Sequence, residues 1–292
     1  MKNLNELLEH IDLAELKIRI DVFEQLSLNT LSYEQIQAEV AKVVTVETPE
    51  GKASLLQPRY AHYPKGTRFY RVRTLPADDR DAPLRTLATI HDCWEPTEAI
   101  AQPNRLNAEH ESVLYTAPQS PLVAITELNI QSGELFGLVV YEALAPVNVS
   151  MIGAGADTAN LTPANAEKLD CLEKFVMHAF TRPVGSDETH LFRVSQCLSN
   201  DYFNVPGSVQ NGWCYPSATQ AGSFNVCFPK GRRGPLKLVG VQVAQLTEQA
   251  SASALALEVK VIAVRTPYGV SLDYHQVGTD VQKRVFPEIS AV

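Results

Sequence analysis

Asn104-Arg105-Leu106-Asn107, then Val113-Leu114-Tyr115-Thr116-Ala117, then Ser120-Pro121-Leu122-Val123-Ala124-Ile125-Thr126-Glu127 is the stretch on which the reading of this chain turns. The β-branched and aromatic residues Val113 to Thr116 favour a short strand, and Ser120 before Pro121 reads as an N-cap with proline at the first helical position. With the elements that follow along the chain, the class expected is α+β. Glu127 is expected two turns into that helix. Leu122, Ile125 and Leu128 follow an i, i+3, i+6 spacing, which predicts an inward face with Glu127 at its margin. A guanidinium (Arg105), a phenol (Tyr115) and a carboxylate (Glu127) thus fall on three consecutive pieces of local structure.

Arginine suits a diphosphate, because its planar fork donates several hydrogen bonds and stays charged. Arginine and carboxylate at one site suit a substrate that is anionic at one end and becomes cationic at the other. Read structurally, the same two residues form a surface ion pair.

Outward from this stretch, residues 1–45 read as helices. Leu4, Leu7, Leu8 and Ile11 are helically spaced, and Ser32-Tyr33-Glu34-Gln35 is a capping box ahead of an apolar face of Ile36, Val40 and Val43. Glu47 to Pro64 is expected as a loop feeding a strand from Arg68 to Arg73. Residues 74–104 are rich in Pro, Asp and Arg and read as an irregular excursion. Leu135 to Tyr141 and Val147 to Ile152 read as strands. Gly153-Ala154-Gly155 lacks the third glycine of a dinucleotide fingerprint and reads as a loop. Thr162-Pro163 opens a helix through Phe180 with Leu169, Leu172, Phe175, Val176 and Ala179 on one face, and Ser186 caps another through about Leu198. Pro216 to Pro229 reads as turn and strand, while Leu236 to Leu246 and Ala254 to Val264 alternate as paired strands. The sum is a mixed sheet flanked by helices.

With 292 residues and 45% hydrophobic content, the chain can bury a full core. A net charge of -8 opposes broad nucleic-acid binding, which needs concentrated Lys and Arg. The five cysteines are odd in number and form no Cys-x-x-Cys pair, so a reduced, cytoplasmic protein is expected. His110-Glu111 lacks the second histidine of a zinc helix, so no metal is expected. Lys2, Glu6, Glu9 and His10 do not form a signal peptide, and no apolar run has the length of a membrane span.

The motifs together resemble the RES-domain family, the toxins of Xre-RES toxin-antitoxin modules. Phe69-Tyr70-Arg71-Val72 is similar to the family's Tyr-Arg element, and Asn104-Arg105-Leu106-Asn107 to its Gly-Arg-Trp-Asn, with Asn104 and Leu106 in place of Gly and Trp. Leu114-Tyr115-Thr116-Ala117, Ser120-Pro121 and Ala124-Ile125-Thr126-Glu127 follow in the family's order. Tyr215-Pro216-Ser217-Ala218, Asn225 and Pro229 complete it. The likeness spans roughly residues 60–230.

What the resemblance implies is an ADP-ribosyltransferase-like fold that consumes NAD by cleaving the nicotinamide-ribose bond, with water, phosphate or a protein as acceptor. It implies that Arg71 and Arg105 hold the pyrophosphate or an incoming phosphate, and that Tyr115 packs beside the nicotinamide or its ribose. Glu127 would bind the ribose hydroxyls and stabilise the oxocarbenium charge, while Ser217 and Asn225 would orient the nicotinamide half. Tyr70 and Asn107 join the NAD-binding set as motif neighbours. The implied partner is an Xre-type antitoxin, and homo-oligomerisation stays open. The organisation expected is a helical extension over 1–55, a RES-like NAD-binding domain over 56–235, and a β-rich segment over 236–292 packed on the same domain. A non-catalytic interaction module on the same scaffold is the alternative, and an ADP-ribosyltransferase acting on a protein target is another.

Overall fold

The computed structural model of the protein describes residues 4–155, 158–251 and 254–290. Its helices are α1 (Leu4–Leu8), α2 (Leu13–Glu24), α3 (Tyr33–Val44), α4 (Pro121–Glu127), α5 (Pro163–Thr181), α6 (Phe192–Tyr202) and α7 (Asp280–Val285). The first strands are β1 (Thr45–Thr48), β2 (Gly51–Ser54), β3 (Arg59–Tyr63), β4 (Arg68–Thr74), β5 (Val113–Pro118), β6 (Leu135–Ala143) and β7 (Val147–Met151). Then come β8 (Gly212–Pro216), β9 (Phe224–Pro229), β10 (Leu236–Ser251), β11 (Ala254–Arg265) and β12 (Leu272–Gln276). The class is α+β, with both antiparallel and parallel strand pairings.

The chain divides into two compact units that interleave along the sequence. The first takes residues up to Ala61, Glu98–Glu111 and Asn148–Ala221; the second takes His62–Thr97, Ser112–Val147 and the chain from Gly222 onward. The sequence suggested consecutive segments instead, because composition shifts along a chain carry no information about which distant stretches pack together. Residues 1–55 share a unit with α5 and α6.

The first unit is mostly helical. Ser32 and Gln35 form the expected capping box: Ser32 Oγ accepts from Gln35 N at 3.2 Å and Gln35 Oε1 accepts from Ser32 N at 2.7 Å. Ile36, Val40 and Val43 are buried as their spacing requires. On α5 the stripe of Leu169, Leu172, Phe175, Val176 and Ala179 is buried, and Phe175 meets Phe23 of α2 edge to face at 5.2 Å. Helix α6 begins at Phe192, after a short 3-10 turn at Thr189–Leu191, later than a cap at Ser186 would place it. β7 and β8 pair in parallel through Val149 with Gly212. The expected loop from Glu47 contains a hairpin, β1 with β2, because Gly51 takes a φ of +115° that closes the tight turn at Pro49-Glu50.

The second unit is built on seven strands in the order β12-β11-β10-β6-β4-β5-β9. Each described pairing in it is antiparallel. One face of this sheet carries Val72, Ala117, Leu138 and Val140, packed with Val123, Ala124 and Ile125 of α4 and with Phe286. The other face is crossed by the irregular excursion after β4, whose regular structure is limited to short 3-10 turns. It sits close: a Cβ on Gly137 of β6 would lie 2.6 Å from Leu87 Cδ1.

Asp79 organises the start of that excursion. Its carboxylate is 3% exposed and accepts from Arg85 N at 2.8 Å, Thr86 N at 2.9 Å and Thr86 Oγ1 at 2.6 Å. Burial pushes this carboxyl up, but the Thr86 hydroxyl and the two backbone N–H groups outweigh it and hold it below the usual range. Asp79→Asn should therefore cost about 2 kcal/mol at neutral pH, the scale for hydrogen bonds to a charged group. A depressed folded value means the contribution is complete above the unfolded carboxyl value of about 3.9 and fades as pH falls through the lower folded value. Urea midpoints of parent and variant should differ at pH 7 and converge in stronger acid; a gap independent of pH rules the assignment out.

Candidate functional site

Strand β4 lies between β5 and β6, with Tyr70 opposite Ala117 on one side and Val140 on the other. Successive side chains of a strand point to opposite faces. Tyr70 packs against the α4-side core with Val72, so Arg71 faces the excursion instead. The two neighbours of the Tyr-Arg motif therefore cannot line one pocket together.

Arg71 is engaged where it lies. Its Nη1 donates to the Trp94 carbonyl, and the phenol of Tyr141 from β6 donates to the carbonyl of Cys93. The Trp94 ring rests on Tyr141 with centroids 4.9 Å apart, and the Arg233 guanidinium lies 3.9 Å from the Trp94 ring centre while binding Glu95 at 2.7 Å. Burial pushes the Tyr141 phenol up, partly offset by Arg71 beside it. Burial, and then the neighbouring Arg71, lower the Arg73 guanidinium. This cluster braces the excursion against the sheet.

The opposite face brings three of the expected residues together. Tyr115 pairs with Cys227 and Thr116 with Val226, a register tightened by Thr116 Oγ1 donating to Val226 O at 3.0 Å. The next pair in that register is Ala117 with Asn225, and Ala117 lies in the α4-side core. Tyr115 and Asn225 thus share the face on which α4 packs. Asn225, 5% exposed, donates from Nδ2 to Glu127 Oε1 at 2.8 Å.

Glu127 reaches this position because α4 is shorter than its spacing suggests. The helix spans seven residues and ends at Glu127; Leu128 is its C-cap, and Asn129 turns left-handed at φ 51°. The buried face is Val123, Ala124 and Ile125, and Leu128 is 47% exposed rather than inward. Ser120 occupies the N-cap position without a side-chain capping bond.

The remaining expected residues lie in the first unit. Arg105 Nη2 donates to Arg182 O at 2.8 Å, just past α5, and its guanidinium lies 5.6 Å from the Phe192 ring centre. Arg182 Nη2 donates to Leu191 O at 2.6 Å, and burial followed by the nearby Arg105 charge lowers this guanidinium. Asn107, 2% exposed, gives its amide hydrogens to the carbonyls of Gln102, Ala108 and Glu111, which shapes its own loop. Ser217 Oγ accepts from Thr219 N at 3.3 Å and Gln220 N at 3.0 Å, a hydroxyl turn after Pro216.

Neither a protein-family model nor a curated protein matches this chain. Among the described residues no group of His, Cys, Asp and Glu is arranged to hold a metal ion. No helix there is long and apolar enough to cross a membrane. All five cysteines are free thiols, four of them buried.

Trp94, Tyr141 and Arg233, which form the brace with Arg71, were not among the expected site residues. Only the alternation of β6 could have pointed to Tyr141. Arg71→Ala should lower stability by roughly 1.5 to 3 kcal/mol, the range for a lost hydrogen bond to a charged group. Trp94 fluorescence should report loosening of the excursion at lower urea than global unfolding. Unchanged stability together with a large loss of NAD affinity would return Arg71 to ligand binding.

Proposed function

We propose that the protein is a RES-type NAD-consuming enzyme that cleaves the nicotinamide-ribose bond, with Glu127 as its catalytic carboxylate. The observation that supports this best is the Asn225 to Glu127 hydrogen bond, which joins two motif residues 98 positions apart on a face that also carries Tyr115. A helix C-terminus is an unfavourable end for negative charge, so this placement is easier to account for by function than by stability.

The chemistry follows from charge. As the C–N bond breaks, its electron pair leaves with nicotinamide, which becomes neutral, and positive charge develops on the ribose ring. A fixed carboxylate facing that ring is worth more in the transition state than in the ground state. Tyr115 offers an aromatic face and a hydroxyl to the nicotinamide half. Water as acceptor gives ADP-ribose and a proton; inorganic phosphate gives the phosphorolysis product; a protein nucleophile gives ADP-ribosylation.

Arg71 serves in this reading as a brace of the fold. The roles of Arg105, Asn107 and Ser217 in holding NAD, that of Tyr70, and a toxin-antitoxin context with an Xre-type antitoxin are proposed on the resemblance alone, and a cytoplasmic location on the cysteine pattern.

Nicotinamide release from NAD, followed by chromatography with and without phosphate, tests the reading and identifies the acceptor. Glu127→Gln keeps the shape and removes the charge. It should cut release by about 100- to 1000-fold, the usual loss for one such electrostatic group, while NAD affinity and thermal midpoint stay close to parental. Absence of release by the parent protein sinks the NAD reading; near-parental release by the variant removes Glu127 from the chemistry.

A further inference from the structure

We infer that Asn225 is a positioning residue for the Glu127 carboxylate, holding it in one rotamer, rather than a group that binds nicotinamide. This rests on the NAD reading for its catalytic meaning, although the interaction itself is independent of any substrate. Three features of the fold converge on it.

First, Asn225 has little freedom. It is 5% exposed, lies in β9 one residue before the end pair of the β5–β9 ladder, and is followed by Val226, whose carbonyl is held by Thr116 Oγ1 at 3.0 Å. The amide is therefore built into the sheet, and a side chain with two rotatable bonds has little entropy left to lose.

Second, the residue opposite it is small. Continued by one residue, the Thr116–Val226 register sets Asn225 across from Ala117, which is 1% exposed and packs in the core that includes Val123, Ala124 and Ile125 of α4.

Third, Glu127 needs support. It lies at the last residue of a seven-residue helix, directly before the C-cap Leu128 and the left-handed Asn129. A long carboxylate there has three side-chain torsions and little regular structure beyond it. The Nδ2–H donated to Oε1 at 2.8 Å fixes one oxygen of the carboxylate. The amide is thereby tied to Glu127 with no substrate bound.

Three measurements separate positioning from substrate binding and from a merely structural role. The side-chain amide resonance of Asn225 should differ between the parent and Glu127→Gln, which removes the charge the amide donates to; an unchanged resonance overturns the inference, whatever the enzyme does. In Asn225→Ala, kcat for nicotinamide release should fall roughly 10- to 100-fold, the scale of a misplaced reacting group, while KM and the folded fraction hold. A rise in KM with kcat preserved would assign Asn225 to nicotinamide after all. In Asn225→Asp the donor is lost and a second carboxylate faces Glu127, so kcat should fall at least as far as in Asn225→Ala; a parental kcat there overturns positioning. If the parent releases no nicotinamide, the NAD reading fails and the amide resonance alone decides the inference.

Discussion

Alternation along β4 governs much of the second unit. A strand covered on both faces must send every second side chain to a different environment, and β4 sends Tyr70 and Val72 toward α4 while Arg71 meets the excursion. The apolar face is closed by α4 and Phe286. The other face is closed by polar means: a guanidinium on a carbonyl, a phenol on a carbonyl, and a stacked indole. A sheet with these two faces keeps its candidate chemistry and its polar brace apart by the thickness of one strand. That separation decides which motif residues can act together.

Much of the fold was legible where local rules and packing agree. The capping box of α3 and the buried stripe of α5 follow directly from residue spacing, and the paired alternation after Leu236 does appear as β10 and β11. Legibility failed where an element is short or ends early, and where a distant element decides the outcome. Leu128 fits the helical period of α4, but Asn129 leaves the helix and carries Leu128 out of the core. Residues from Glu47 onward look irregular because the two strands there are four residues long and β2, Gly51–Ser54, carries no β-branched side chain.

The site was partly legible for the same reason. Glu127, Tyr115 and Asn225 were expected and share a face, but the hydrogen bond that joins Asn225 to Glu127 spans two elements whose register no local pattern encodes. Arg71 and Tyr70 stand side by side in sequence, and proximity along the chain suggested a common purpose. The pleat separates them. Asn107 and Ser217 show the converse: both are polar residues in expected motifs, and both give their hydrogen-bonding capacity to nearby backbone.

The interleaving of the two units has a consequence for how the protein comes off the ribosome. The first unit has all its residues by Ala221, whereas the second must wait for the chain beyond Gly222. Strand β6 is synthesised early, yet its partner β10 follows it by roughly a hundred residues, and β9 joins β5 after a comparable delay. Through that interval the nascent sheet carries open edges and an incomplete apolar face, the condition in which chains associate with the wrong partner. The second unit, to which Glu127 of α4 belongs, is thus the later of the two to have all its strands, and the carboxylate waits 98 residues for its amide.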